Sequence, residues 1–269
     1  MGEASGMILK PFIKMMRSEL VDLWAFYETG FHNLLAVSVE GRYTSEPIKT
    51  ALGLLGEGQL GLSKVIVVVD PDVDVRSFPR LLRAIQRHFD PREDFLLISR
   101  APFDTLDFTS FKMHLGSKMV LDATAGTDPQ PPPEHPIKTD PRDLVPGITG
   151  WRLLEDTLLA VSVERDAGAA LDALISSDAL SGLKIVTAVS PDIDLEDDVS
   201  LLWGIFTRFD PARDVRFAGT RMHGIKPVYE GVMGIDATFK TGYPQALRMD
   251  EAIRERVDKR WNSYWSKTA

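Results

Sequence analysis

Laid over itself at an offset of 120, the sequence repeats. Lys64-Val-Ile-Val-Val-Val-Asp-Pro-Asp-Val-Asp74 returns as Lys184-Ile-Val-Thr-Ala-Val-Ser-Pro-Asp-Ile-Asp194, and Leu81, Leu82, Ile85, Phe89, Asp90, Pro91 and Asp94 fall on Leu201, Leu202, Ile205, Phe209, Asp210, Pro211 and Asp214. The match runs ungapped over 31 residues with 12 identities. Leu34–Glu40 reappears as Leu158–Glu164, and Met119–Thr124 as Met233–Thr238. A chain built this way contains one small domain twice. The expected division is copy one at 1–126, a Pro-rich linker with the tail of copy one at 127–151, and copy two at 152–269.

Periodicity sets the fold class of each copy. Leu34–Val39 and Val65–Val69 are continuous, β-branched apolar runs, as in strands buried on both faces. Ser45–Leu60 reads as a helix, and Phe78, Leu81, Leu82, Ile85 and Phe89 recur at helical spacing. Phe95–Ser99 and Met119–Leu121 supply a third and a fourth strand. Alternating strands and helices predict two tandem three-layer α/β domains with mostly parallel sheets. The tails Asp140–Trp151 and Asp250–Trp261 have equal length; Ile253, Val257 and Trp261 make the second helical, while Pro146, Gly147 and Gly150 make the first mostly non-helical. Residues 127–146 hold seven of the 17 prolines, including Pro131-Pro-Pro133, and read as an extended spacer.

Composition removes whole classes of chemistry. With no cysteine, the chain has no disulfide, thiolate metal site or cysteine nucleophile. A net charge of −8 argues against a general nucleic-acid or anionic-membrane binder. Without an apolar run of membrane-spanning length or a leader-like N-terminus, the sequence reads as a cytoplasmic protein.

Asp70, Asp72 and Asp74 directly follow an apolar strand, where α/β folds bind ligands. They suit a divalent cation by residue type, and a strand followed by Asp-x-Asp is also similar to the metal–nucleotide site of glycosyltransferases. A calcium loop is ruled out because the required Gly and Glu are absent. The plainer reading is a turn whose carboxylates accept backbone N–H groups and cap the next helix. Ser190 stands for Asp70 in copy two, which continues with Glu196, Asp197 and Asp198. The two Phe-Asp-Pro sequences are helix stops. His32, His88, His114, His135 and His223 share no ligand spacing, and neither a serine elbow nor a phosphate-cradling glycine loop is present. No catalytic residue and no metal ligand is assigned.

Pro102-Phe-Asp-Thr-Leu-Asp-Phe-Thr-Ser110 followed by Gly116-Ser-Lys-Met-Val-Leu-Asp-Ala-Thr124 resembles the C-terminal domain of the UbiD family, prenylated-flavin-dependent decarboxylases and carboxylases of aromatic and unsaturated acids. Val65–Asp74, Phe89–Asp94 and the stretch from Glu19 to Asn33 are similar as well, and copy two keeps Phe209–Asp214, Met233–Thr238 and a final tail from Tyr243 to Trp261. Lys118 keeps the family's lysine where copy two has Val232. The family's flavin site, metal ligands and catalytic Arg and Glu residues lie in an upstream split-barrel domain to which nothing here corresponds. The resemblance therefore implies an accessory subunit that binds no cofactor alone and docks onto a chain carrying prenylated FMN, or self-associates. The alternative is a stand-alone binding protein or enzyme with a cleft between the repeats, metal-dependent through Asp70, Asp72 and Asp74.

Overall fold

The computed structural model describes residues 2–30, 32–110, 112–125, 136–247 and 249–265. Helix α1 (Gly2–Met16) leads into strands β1 (Leu20–Ala25) and β2 (Leu34–Val39), helix α2 (Glu46–Leu54), β3 (Val65–Val69), α3 (Phe78–His88), β4 (Phe95–Pro102) and β5 (Leu115–Ala123). The second half has α4 (Pro141–Leu144), β6 (Ile148–Leu154), β7 (Leu158–Val163), α5 (Ala167–Ile175), β8 (Ile185–Val189), α6 (Asp198–Thr207), α7 (Pro211–Asp214), β9 (Val215–His223), β10 (Lys226–Ala237) and α8 (Glu251–Trp265).

Each half is a five-stranded mixed sheet, in the orders β1-β2-β3-β5-β4 and β6-β7-β8-β10-β9. The three central strands are parallel and both edges are antiparallel. The buried runs Val65–Val69 and Ile185–Val189 lie at the sheet centres, as their continuous apolar character requires. The edge strand β1 is masked in the sequence by Asp22. The helix expected over Ser45–Leu60 stops at Leu54, since Gly56 and Gly58 follow and Gly58 takes φ +49; a 3-10 turn over Gly58–Leu62 completes the segment.

The expected division at 151/152 falls inside β6, which pairs along its length with β7. Ile137, Leu144, Val145 and Ile148 pack in the core of the second half. Asp140–Trp151, expected as the tail of copy one, thus supplies a short helix and the first strand of the second sheet. Trp151 lies on a strand and Trp261 on a helix, so their equal spacing from an Asp does not make these segments equivalent. The triple proline of the expected spacer lies outside the described residues.

Alternation along the central strands sorts side chains between cores. Leu35, Val37, Ile66 and Val68 face an outer core with Ala51 and Leu54 of α2 and Ile13 of α1. Leu34, Ala36, Val65, Val67 and Val69 face inward, where Leu81, Leu82 and Ile85 of α3 meet Leu201, Leu202 and Ile205 of α6. This middle core draws on both halves and is one continuous cluster. Among the described residues no helix is long and apolar enough to cross a membrane.

Candidate functional site

The Asp70 turn is built from backbone bonds. Asp70 accepts the N–H of Ala125 at 2.6 Å, and Asp74 accepts that of Arg76 at 3.0 Å. Copy two repeats the construction: Ser190 Oγ accepts the N–H of Phe239 at 2.7 Å, and Asp194 that of Glu196 at 2.9 Å. Serine does the work of Asp70 without a charge, so the position serves to tie the loop after the central strand to its neighbour. Among the described residues no three His, Asp or Glu side chains converge as metal ligands.

Asp72 does open onto a cleft of about 630 Å³, lined by Arg80, Arg83 and Arg87 of α3 together with His88. Arg83 is already paired with Glu155 of the other half. Copy two closes the equivalent space from within. Arg208, at the position of His88, is 2% exposed and holds Asp192 through two bonds of 2.8 and 2.6 Å, its guanidinium lying against Trp203 and Phe239. Arg83 and Ala125 stand where those rings would be. The arginines at 80, 83 and 87 were missed in the sequence, where their helical spacing was the available signal; their cleft depends on which face the fold leaves open.

The second polar assembly runs along the seam between the halves. Lys64 has no exposed side-chain surface; its Nζ meets Asp107 at 2.7 Å and the carbonyl of Phe209 at 3.1 Å, against the rings of Phe103 and Phe209. Its repeat equivalent, Lys184, donates to the carbonyl of Phe89 at 2.9 Å. Burial pushes both ammonium groups below the ordinary lysine range, with Asp107 opposing the shift at Lys64 and Asp90 at Lys184. Lys118, within the Gly-Ser-Lys-Met motif, is pushed down to about 8 by burial and donates to the Ser63 carbonyl at 2.7 Å. Ser117 of the same motif donates its hydroxyl to Asp210 of the other half at 2.7 Å. Lys64 and Lys184 were visible as a repeated residue ahead of a strand, yet nothing in the sequence showed that each reaches into the other copy.

The outermost helices carry apolar side chains that the described residues do not cover. No residue of α8 is buried; Ile253, Trp261, Tyr264 and Trp265 are exposed along it. On α1, Ile13 is buried while Ile8, Phe12, Met15 and Met16 are exposed.

Two mixed α/β sheets sharing one core define a duplicated domain joined by a polar, pseudo-symmetric seam. The sequence profile of the 3-octaprenyl-4-hydroxybenzoate carboxy-lyase C-terminal domain matches residues 1–123 and 142–237, and the chain belongs to that family, the C-terminal domains of UbiD proteins. A protein of Chlamydia caviae is 32% identical over 264 residues, covering 96% of this chain and 44% of that protein. A 4-hydroxybenzoate decarboxylase subunit from Chlamydia pneumoniae is 29% identical over 261 residues, 96% of this chain and 43% of that protein. The chain thus spans under half the length of these relatives. Among solved structures, the vanillic acid decarboxylase of Sedimentibacter hydroxybenzoicus matches with 28% identity and a TM-score of 0.42, over 49% of this chain and 28% of that one.

Proposed function

We propose that the chain is a non-catalytic component of a UbiD-type decarboxylase or carboxylase acting on aromatic or unsaturated acids, docking onto a flavin-bearing polypeptide. Membership of the C-terminal domain family supports this reading, as does the name of the Chlamydia pneumoniae relative, a decarboxylase subunit. The observation that carries it is α8, a 15-residue helix with no buried residue and two exposed tryptophans. Such a face marks an interaction surface.

The residues lining the cleft beside Asp72 do not fit prenylated FMN. This cleft offers only Val73, Ala84 and Ala125 as apolar lining, with no Phe, Tyr or Trp ring to stack on an isoalloxazine. On the proposed reading the flavin belongs to the partner. Metal-dependent chemistry through Asp70, Asp72 and Asp74 is disfavoured because Asp70 and Asp74 are engaged with backbone N–H groups.

Co-expression of the tagged chain with the polypeptides encoded beside it, followed by mass and visible absorbance of the eluate, tests the proposal. A yellow heteromer is expected. A colourless chain that binds none of them overturns it.

A further inference from the structure

One mouth of the seam collects more cations than carboxylates. Arg100, Lys112 and Arg213 line an opening of about 340 Å³ together with Ser99, Ser117 and Asp210. Arg100 and Lys112 come from the first half and Arg213 from the second, so the opening exists only where the halves meet. Asp210 is held by the N–H of Ser117 at 3.0 Å, by its hydroxyl at 2.7 Å and by the N–H of Ala212 at 3.2 Å, with Arg213 Nε 3.6 Å away. Arg213 also donates to the Thr109 carbonyl. The side chains of Arg100 and Lys112 carry no hydrogen bond or ion pair among the described residues. Three cations against one carboxylate leave a formal charge of +2 at this mouth, in a chain whose net charge is −8.

The backbone is bent to achieve this. Arg100 has φ +58, inside a bulge that shifts the β4–β5 register between Ile98 and Ala101. A bulge re-aims a side chain, and a long L residue in the left-handed region is uncommon unless its surroundings impose it.

The duplicated seam supplies an internal control. At the opposite mouth, the repeat places Glu93 where Arg213 stands, Thr220 for Arg100 and Gly231 for Ser117. The loop bearing Lys112 has no counterpart, because β9 and β10 join through the tight turn at Gly224. The cations there are paired: Arg92 with Asp90, Lys226 with Glu93 and Arg221 with Glu230. The positive mouth is therefore a feature of one end of the seam and no consequence of the fold.

We propose that this mouth binds a small phosphate dianion, free or as a phosphomonoester. A phosphate monoester carries about −1.5 to −2 at pH 7, which matches the two uncommitted charges of Arg100 and Lys112, and a monocarboxylate would leave one of them unmatched. The opening lies at the small end of the range for ligand sites, about 300–1,000 Å³, in keeping with a ligand of this size.

The test is calorimetric titration of the full chain with inorganic phosphate, and separately with phenyl phosphate, at constant ionic strength set with chloride. Saturable binding is expected, weakened about tenfold or more by Lys112→Ala and by Arg100→Gly. Arg100→Gly is expected to raise Tm while losing affinity, because glycine takes φ +58 freely; that combination separates a lost ligand contact from a damaged fold. Tighter binding of phenyl phosphate supports an ester as the ligand, and equal binding supports the free ion. No saturable binding, binding insensitive to both substitutions, equal loss in Arg80→Ala, or equal affinity for benzoate would each overturn the proposal.

Discussion

Lys64 and Lys184 make the same bond in opposite directions: each sends its ammonium group across the seam to a phenylalanine carbonyl of the other half, Phe209 at 3.1 Å and Phe89 at 2.9 Å. The phenylalanines are related by the same offset as the lysines, so the seam has the reciprocity of a twofold dimer interface enclosed in one chain. The environments differ. Lys64 is fully buried with Asp107 beside it, whereas Lys184 keeps some contact with water.

This difference sets unequal costs. Lys64→Met leaves the Asp107 carboxylate buried without its cation, which is expected to destabilise the fold by about 3–5 kcal/mol. Lys184→Met removes one bond from a partly hydrated group and is expected to cost about 1 kcal/mol. Urea denaturation of both variants checks the order, and Lys64→Met/Asp107→Leu should recover part of the larger loss. Equal effects would contradict the burial difference.

The middle core predicts that the halves do not stand alone. Leu81, Leu82, Ile85 and Phe89 share their cluster with Leu201, Leu202, Ile205 and Phe209, and separation would expose both sets. The full chain should therefore unfold in one cooperative transition. Residues 1–135 expressed alone should self-associate or remain incompletely folded, as light scattering and near-UV circular dichroism would reveal. A monomeric, well-folded fragment of full stability is the contrary result.

Legibility followed from how locally each property is encoded. Val65–Val69 and Phe78–Phe89 carry their periodicity in themselves, so central strands and seam helices were readable. The edge strand β6 was not, because Thr149, Gly150 and Arg152 dilute its apolar signal and its role depends on pairing with β7. The Asp70 turn was recognisable from turn chemistry, whereas the closing of the copy-two cleft by Arg208 and Asp192 joins residues 16 positions apart whose encounter only the fold brings about. The seam mouth was the least legible, since Arg100 and Arg213 meet there from different repeats.

Gly30 marks another close approach between the halves. It takes φ +80, and a Cβ there would lie 2.7 Å from Cγ2 of Thr207 on α6. Gly147 also has a positive φ, +100, but a Cβ there meets nothing within 4 Å. Gly147→Ala should incur only the left-handed penalty, about 1–2 kcal/mol, and Gly30→Ala that penalty plus about 1–3 kcal/mol for overpacking. Thermal unfolding of the two variants separates backbone strain from crowding; equal shifts would mean that Thr207 yields without cost.

Buried carboxylates predict how stability depends on pH. Burial raises Asp94 to about 6, with the charges of Asp122 and Asp90 adding to the shift, and burial also raises Asp122 and Asp214. A carboxyl whose folded pKa lies above its unfolded value binds more protons when folded, so its contribution is fully present below the unfolded pKa and lost as pH rises through the folded one. For Asp94 that window runs from the ordinary aspartate value of 3.8 to about 6. Glu46 and Asp140, held near 2 chiefly by side-chain bonds from Arg42 and Arg142, act in the opposite sense and at lower pH, losing their contribution as pH falls toward 2. Asp94 should therefore contribute a decline in stability between about pH 4.5 and 6, opposed by His32, whose pKa burial lowers from 6.5 and whose contribution grows as pH rises toward that value. Asp94→Asn, whose amide oxygen can still accept the Asp90 N–H now bonded at 2.8 Å, should flatten the decline and raise stability at about pH 7. Urea midpoints of both proteins from about pH 4 to 8 provide the measurement, and an unchanged slope in Asp94→Asn would assign the decline to other groups.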